Sequence, residues 1–188
     1  MSRFACYHCY QTGLHGWTID KGWEAVVTVG ILTTSDMGAK GEREDTSGQT
    51  IVDMTTAAGF SVEIREVVPD DLTVIADRLR LWSQKVDLIL TTGGTGFGPR
   101  DVTPEATLEV LERQAPGLSE YMRAGTAEKT TLSYLSRGVA GTRGSCLIVN
   151  LPGSPKGVRE CLELLLPLLP HAIETMQGPT QHHPQGQA

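Results

Sequence analysis

Four short apolar runs set the fold class of this chain. Ala25 to Thr33, Val86 to Thr92 and Cys146 to Asn150 are rich in valine, isoleucine and leucine and nearly unbroken, the composition of strands buried on both faces of a sheet. Phe60 to Val68 alternates Phe60, Val62 and Ile64 and reads as another strand. Helical spacing fills the gaps. Gln49 to Ala58 carries Ile51, Val52, Met54 and Ala58 on one face and stops at Gly59, while Leu72, Ile75, Ala76, Leu79 and Trp82 mark a helix opened by Asp70 or Asp71. Thr103 followed by Pro104 reads as an N-cap with proline at the first helical position, starting a helix that runs to about Gln114. Pro116 to Leu135 reads as mostly helical, and Ser154-Pro155 opens a last helix through the leucine-rich stretch beyond Cys161, kinked or divided by Pro167 and Pro170. Strands that alternate with helices form parallel pairs joined by right-handed crossovers. The expected fold is therefore an α/β three-layer sandwich, a mostly parallel sheet flanked by helices on both faces.

The chain has 188 residues, enough for one domain. That domain is expected over 24–178. Residues 1–23 lack a sustained period and read as an N-terminal extension, and 179–188 hold almost nothing apolar, so His182 and His183 read as part of a solvated tail. Cys6 and Cys9 form a C-x-x-C beside His8 and His15, but no second close Cys or His pair follows, so a reactive or incidental pair fits better than a zinc site. Cys146 and Cys161 sit in apolar runs and read as small hydrophobes. With 22 acidic against 16 basic side chains the net charge is −6, which argues against a nucleic-acid partner held by phosphate neutralisation. The longest apolar run, Ala25 to Leu32, is interrupted by Thr28 and Gly30 and falls far short of the ~20 residues of a membrane span. No membrane association and a cytoplasmic location are expected.

In such a sheet the ligand crevice lies beyond the carboxyl ends of the strands, and four polar loops fall there. Ser35-Asp36 follows the first strand and Pro69-Asp70-Asp71 the second. The third is followed by Gly93-Gly94-Thr95-Gly96 with Arg100-Asp101, and the fourth by Asn150-Leu151-Pro152-Gly153-Ser154. The stretch TTGGTGFGPRDVTPEA is a phosphate-loop candidate, because Gly93, Gly94, Gly96 and Gly98 let backbone N–H groups approach an anion closely. It is not a Walker A loop, since Pro99-Arg100 stands where Lys and Ser or Thr are required. Nor is it a dinucleotide fingerprint, since Pro99 and Pro104 keep a helix from starting on the glycines. NLPGSPK, at 150–156, offers a second anion site at a helix start, with Lys156 adding a mobile charge. Asp36, Asp70 and Asp101 reach one edge from three strands, which suits Mg²⁺, a cation that takes one or two protein carboxylates plus phosphate oxygens. Each also has a local reading: Asp36 as a turn residue, Asp70 as an N-cap, and Asp101 as partner of Arg100 or acceptor from the backbone. No G-x-S-x-G is present, and His171 in its leucine-rich helix reads as a satisfied or surface residue.

These residues carry a resemblance. TTGGTGFGPRDVTPEAT at 91–107, NLPGSPKGVRECLE at 150–163, SD at 35–36, DTSG at 45–48 and VPDD at 68–71 make the chain from about Ala25 to Gly178 similar to molybdopterin adenylyltransferases of the Mog and MoaB type, a family that includes the gephyrin G domain. The resemblance implies adenylylation of molybdopterin by Mg²⁺-ATP in molybdenum cofactor biosynthesis. The terminal phosphate of the pterin attacks the α-phosphate and pyrophosphate leaves. It implies catalytic roles for Asp70 and Asp101, which are also the expected Mg²⁺ ligands. Substrate and nucleotide contacts are expected from Ser35, Asp36, Gly93, Gly94, Thr95, Gly96, Arg100, Thr103, Asn150, Pro152, Gly153, Ser154 and Lys156. A homotrimer and a molybdenum-insertase partner are further implications. Two other readings stay open: a carrier or scaffold that binds molybdopterin without adenylylating it, and an enzyme on another nucleotide-derived substrate, as in nicotinamide-nucleotide deamidases with a related domain.

Overall fold

The computed structural model describes residues 26–178. Cys6, Cys9, His8, His15, His182 and His183, with the whole of the two expected end segments, lie outside the described residues. In chain order the elements are β1 (Thr28–Thr34), α1 (Asp36–Ala39), α2 (Thr46–Ala57), β2 (Ser61–Val68), α3 (Leu72–Trp82), β3 (Leu88–Thr92), α4 (Thr103–Leu108), β4 (Arg113–Gln114), α5 (Pro116–Ala127), a 3₁₀ turn (Thr131–Leu135), β5 (Ala140–Arg143), β6 (Cys146–Leu151), α6 (Pro155–Leu165) and α7 (Leu169–Gln177). The six strands make one sheet in the order β2-β1-β3-β6-β5-β4. The first four are mutually parallel; β5 and β4 add antiparallel pairs at one edge.

Period-two alternation along the buried strands divides the core into two layers. Val29, Ile31, Leu88, Leu90, Leu147, Val149 and Leu151 face one side, against Ile51 of α2, Met122 of α5, Val158 and Leu162 of α6 and Ile173 of α7. Leu32, Ile89, Cys146 and Ile148 face the other, against Ile75, Leu79 and Trp82 of α3 and Ala106 of α4. The three-layer sandwich is thus present with the expected mostly parallel sheet. Burial pushes the Cys146 thiol up to about 12 and the Cys161 thiol up to about 11, so both are inert packing groups at neutral pH.

Three local expectations need correction. Thr103 does not cap α4: Val102 holds that position without a side-chain bond, because the Thr103 hydroxyl lies 3.0 Å from Thr34 Oγ1. The helix ends at Leu108 rather than near Gln114, since Glu112 and Ala115 donate their N–H groups to Thr142 and Ala140 of β5 at 2.9 and 2.8 Å and draw the chain into the short strand β4. The segment from Pro116 to Leu135 is mostly helical as expected, with α5 running to Ala127 and Thr130 capping the 3₁₀ turn that follows. Strand β5 was not expected at all, because AGTR has neither an apolar run nor alternation. Of the two residues offered to open α3, Asp71 is the cap, its carboxylate accepting from the Val74 N–H at 3.1 Å. Leu166–Leu168 separate α6 from α7, so the Pro167–Pro170 stretch divides the last helix.

Asn150 ties the antiparallel edge to the parallel core. Its side chain is fully buried and donates both amide N–H groups, to Thr91 Oγ1 and Thr107 Oγ1 at 2.9 Å each, while its oxygen accepts from the Val139 N–H at 3.1 Å. Such a knot is valuable only while complete, since each orphaned partner keeps its desolvation cost. Asn150→Ala is expected to destabilise the fold by about 2–4 kcal/mol in urea unfolding; an unchanged midpoint would show the knot contributes nothing.

Candidate active site

The strand order reverses between β1 and β3: the chain leaves β1 for β2 on one side, then returns to β3 on the other. A crevice opens beyond the carboxyl ends at such a switch point. Here its walls are Thr34-Ser35-Asp36 after β1 and Thr92-Gly93-Gly94 after β3.

Gly93 and Gly94 have φ of 95° and 59°, a region L side chains rarely adopt. Space imposes the same choice. A Cβ on Gly93 would meet the Thr34 carbonyl oxygen, and one on Gly94 would sit 2.5 Å from Thr103 Oγ1, 3.0 Å from Thr34 Oγ1 and 3.2 Å from Asp70 Oδ1. The N–H groups of Gly94, Thr95 and Gly96 donate no hydrogen bond within the described residues, which leaves three backbone donors at the crevice. Asp101 closes the loop on itself: its Oδ2 accepts from the Gly98 N–H at 2.7 Å, and its own N–H donates to the Gly98 carbonyl at 3.0 Å.

Asp36 and Asp70 are laced together reciprocally, the Asp36 N–H donating to Asp70 Oδ2 at 2.9 Å and the Asp70 N–H to Asp36 Oδ1 at 3.1 Å. Arg100 grips Asp36 in a fork, Nε to Oδ2 at 3.0 Å and Nη2 to Oδ1 at 2.9 Å. That guanidinium holds the Asp36 carboxyl below the usual carboxylate range. Arg100 therefore pairs with Asp36, not with Asp101. The Asp70 carboxyl is pushed the other way, upward, by burial and by the negative charges of Asp36 and Asp101. Asp70 Oδ1 and Asp101 Oδ1 accept no hydrogen bond within the described residues, so each carboxylate commits one oxygen to the backbone and keeps one uncommitted.

The second loop meets the first backbone to backbone. Thr92 Oγ1 donates to the Pro152 carbonyl at 2.6 Å, and a Cβ on Gly153 would lie 3.2 Å from the Gly93 Cα. Ser154 caps α6 through the Gly157 N–H at 3.1 Å, and Lys156 is exposed on its first turn. Ser35 caps α1, accepting from the Gly38 N–H at 3.0 Å. Thr95 is buried. Most expected site residues thus converge on one edge. Asn150 is the exception, its side chain turned into the core and fully bonded.

Sequence reasoning missed Arg137. Its backbone N–H donates to the Thr95 carbonyl at 2.9 Å, its Nε to the Gly96 carbonyl and its Nη2 to the Asp101 carbonyl at 2.5 Å each, and its Nη1 pairs with Glu105. It also lies under Phe97, 5.9 Å from the ring centroid. One residue from the segment before β5 therefore fixes both ends of the glycine loop through three of its carbonyls, while the Gly94, Thr95 and Gly96 N–H groups stay unpaired among the described residues. Nothing in the surrounding SRGVAG marks it; the signal is the glycine loop's need for a partner to its carbonyls.

The fold and this edge define an open α/β protein whose switch-point crevice carries unpaired backbone N–H groups and is flanked by two carboxylates. Residues 30–171 match the family described as "Probable molybdopterin binding domain", and the chain belongs to that family. It is 37% identical over 161 residues to a molybdopterin adenylyltransferase of Helicobacter pylori, covering 81% of this chain and 89% of that one. The molybdenum cofactor synthesis protein cinnamon of Drosophila melanogaster is 46% identical over 151 residues; the match covers 78% of this chain but only 25% of the fly protein. Among solved structures, the molybdopterin biosynthesis enzyme MoaB of Thermus thermophilus aligns with TM-score 0.78 and 52% identity, over 84% of this chain and 100% of that one.

Because the native state binds the Asp70 proton more tightly than the unfolded chain does, this group's contribution to stability falls as pH rises through the carboxylate range and stays lost above it. Asp70→Asn removes the charge and keeps an oxygen for the Asp36 N–H. Its melting temperature at pH 7, without added metal, is expected to equal or exceed that of the wild type, with the difference vanishing toward pH 3. A clear drop at pH 7 would contradict the assignment of Asp70 as a charge held at a stability cost.

Proposed function

We propose that this chain is a molybdopterin adenylyltransferase: it joins the terminal phosphate of molybdopterin to the α-phosphate of ATP and releases pyrophosphate, in molybdenum cofactor biosynthesis. The observation that carries the reading is the pairing, at one switch point, of free backbone donors at Gly94–Gly96 with the uncommitted oxygens of Asp70 and Asp101. The match to bacterial molybdopterin adenylyltransferases over nearly their whole length supports it.

Charge is the obstacle to this reaction. Bringing a phosphate of about −2 to an α-phosphate of about −1 at ~5 Å costs roughly 7 kcal/mol at an effective dielectric of ~20, about five powers of ten in rate. Among the described residues no three His, Cys, Asp or Glu side chains converge as a ready-made metal cage. Mg²⁺ needs fewer, and the proton affinity of Asp70, raised by burial and then by the charges of Asp36 and Asp101, is a cost that a bound cation relieves. Asp70 and Asp101 would hold Mg²⁺, with Asp36 withheld by Arg100; when bound, the ion neutralises triphosphate oxygens. The N–H groups of Gly94, Thr95 and Gly96 hold phosphoryl oxygens as negative charge shifts toward the leaving pyrophosphate. Ser154 and the start of α6, with Gly153 and Lys156, receive a second phosphate. Ser35 and Thr103 shape the crevice through the α1 cap and the Thr34 contact. Asn150 and Pro152 position the second loop, and Arg100 keeps Asp36 against Asp70. No covalent enzyme intermediate is required.

The reading extends to a cytoplasmic enzyme and a homotrimer that hands its product to a molybdenum-insertase partner. The fly relative, four times as long as the matched segment, leaves room for a second function on one chain. No helix among the described residues is long and apolar enough to cross a membrane.

Asp101→Ala is expected to keep the fold and to lower turnover of molybdopterin with Mg²⁺-ATP at least about 100-fold, measured as pyrophosphate release. Release at the wild-type rate from the folded variant would remove Asp101 from the mechanism.

A further inference from the structure

The stretch from Gly96 to Asp101 ends on the Asp101 carboxylate, and its shape is set by groups outside the crevice. Arg137 holds both ends of it: Nε donates to the Gly96 carbonyl and Nη2 to the Asp101 carbonyl, each at 2.5 Å, while Nη1 pairs with Glu105 in the first turn of α4. Every nitrogen of that guanidinium is thereby committed to the protein. A second arginine seats the first. Arg123 of α5 donates through Nη1 to the Ser136 carbonyl at 3.2 Å and to the Gly138 carbonyl at 3.1 Å, the residues on either side of Arg137.

Strand β6 closes the same segment from its other side. The Val139 N–H donates to Asn150 Oδ1 at 3.1 Å and the Asn150 N–H to the Val139 carbonyl at 3.0 Å, and a Cβ on Gly138 would lie 3.1 Å from the Asn150 carbonyl oxygen. Residues 136–138 are thus clamped between α5 and β6, and Arg137 reaches from that clamp to the glycine loop. The position asks for a guanidinium. Its planar fork satisfies two carbonyls and a carboxylate in different directions, whereas an ammonium is a single point charge. Bonds from an ionised donor are also roughly twice as strong as neutral ones, which suits a contact that must hold a loop in one place.

Resting on the adenylyltransferase reading, we propose that Arg123 and Arg137 form a relay of two positioning residues: Arg123 fixes the 136–138 segment, and Arg137 carries that placement to Gly96 and Asp101. The relay sets where the uncommitted Asp101 oxygen and the unpaired Gly94–Gly96 N–H groups stand, and both arginines act through the loop. A misplacement of about 1 Å at a reacting group costs up to about 100-fold in rate. The relay is therefore read in kcat of the folded enzyme.

The test compares the full chain with Arg137→Lys, Arg123→Lys and the double variant, each shown to be folded by its thermal transition. Two quantities are measured: kcat and KM for molybdopterin with Mg²⁺-ATP, and, independently of turnover, the affinity for inorganic pyrophosphate with Mg²⁺ by calorimetry. Arg137→Lys is expected to lower kcat about 10- to 100-fold and to weaken pyrophosphate binding about 3- to 10-fold, with the molybdopterin KM changed less than about 3-fold. Arg123→Lys is expected to lower kcat about 3- to 10-fold. Added to Arg137→Lys it lowers kcat no further, because a relay broken at its second link no longer reads the first. Effects that multiply in the double variant, or wild-type kcat in folded Arg137→Lys, overturn the relay. So does a lowered melting temperature with kcat per folded molecule unchanged, which is the mark of arginines that only stabilise the fold. Should Arg137→Lys not fold, wild-type kcat and pyrophosphate affinity in Arg123→Lys overturn the relay by themselves. Pyrophosphate affinity that falls in Arg137→Lys, with no adenylylated product from the wild type, would sink the catalytic reading and keep the relay. Product formed by every variant at the wild-type rate would do the reverse.

Discussion

The close approach at Gly94 is the constraint on which the rest of the site depends. Thr34 at the end of β1, Thr103 at the start of α4 and Asp70 after β2 all crowd the place where a Cβ would stand. Only a residue without one lets β1 and β3 end side by side and lets the loop turn back between them. That turn presents the free N–H groups, seats Thr103 against Thr34, and brings Asp70 to the same spot. The parallel pairing of β1 with both neighbours supplies the rigid platform, and the Asn150 knot carries it across to the antiparallel edge.

Electrostatically the site is divided between two signs. Backbone donors and Lys156 favour anions, while Asp70 and Asp101 favour a cation. Arg100 neutralises Asp36 and thereby fixes which carboxylates stay available. The upward push on Asp70 is the cost of burying its carboxylate beside Asp36 and Asp101, and a fold bears such a cost where charge must be met in function rather than in the resting state. Arg137 balances it by holding the loop's carbonyls, so the loop's shape is fixed without a ligand, the kind of preorganisation that the proposed transition-state stabilisation needs.

Legibility in the sequence followed the range of the signal. The buried strands β1, β3 and β6 and the helices α2, α3 and α6 were readable from periodicity and capping, because each is decided by its own residues. So was the site's address, since loops after parallel strands share one edge. The misassigned end of α4 and the missing β5 have one cause: a two-residue strand and its partner AGTR exist only because they pair with each other and with β6, a contact no local pattern announces. Thr-Pro suits a cap, yet tertiary contact with Thr34 claims the Thr103 hydroxyl. Asp36 was readable as a site residue, but its pairing with Arg100, 64 positions away, was not. Arg137 and Asn150 act on partners distant in sequence, and only the folded chain reveals what they hold.

The most direct measurement of the central claim follows the label from [α-³²P]ATP in a quenched reaction of the purified chain with molybdopterin and Mg²⁺. The account predicts label on molybdopterin, one for each pyrophosphate released, and none on the protein. Molybdopterin that binds but stays unlabelled would show a carrier on this fold and contradict the account; label trapped on the protein would contradict direct transfer.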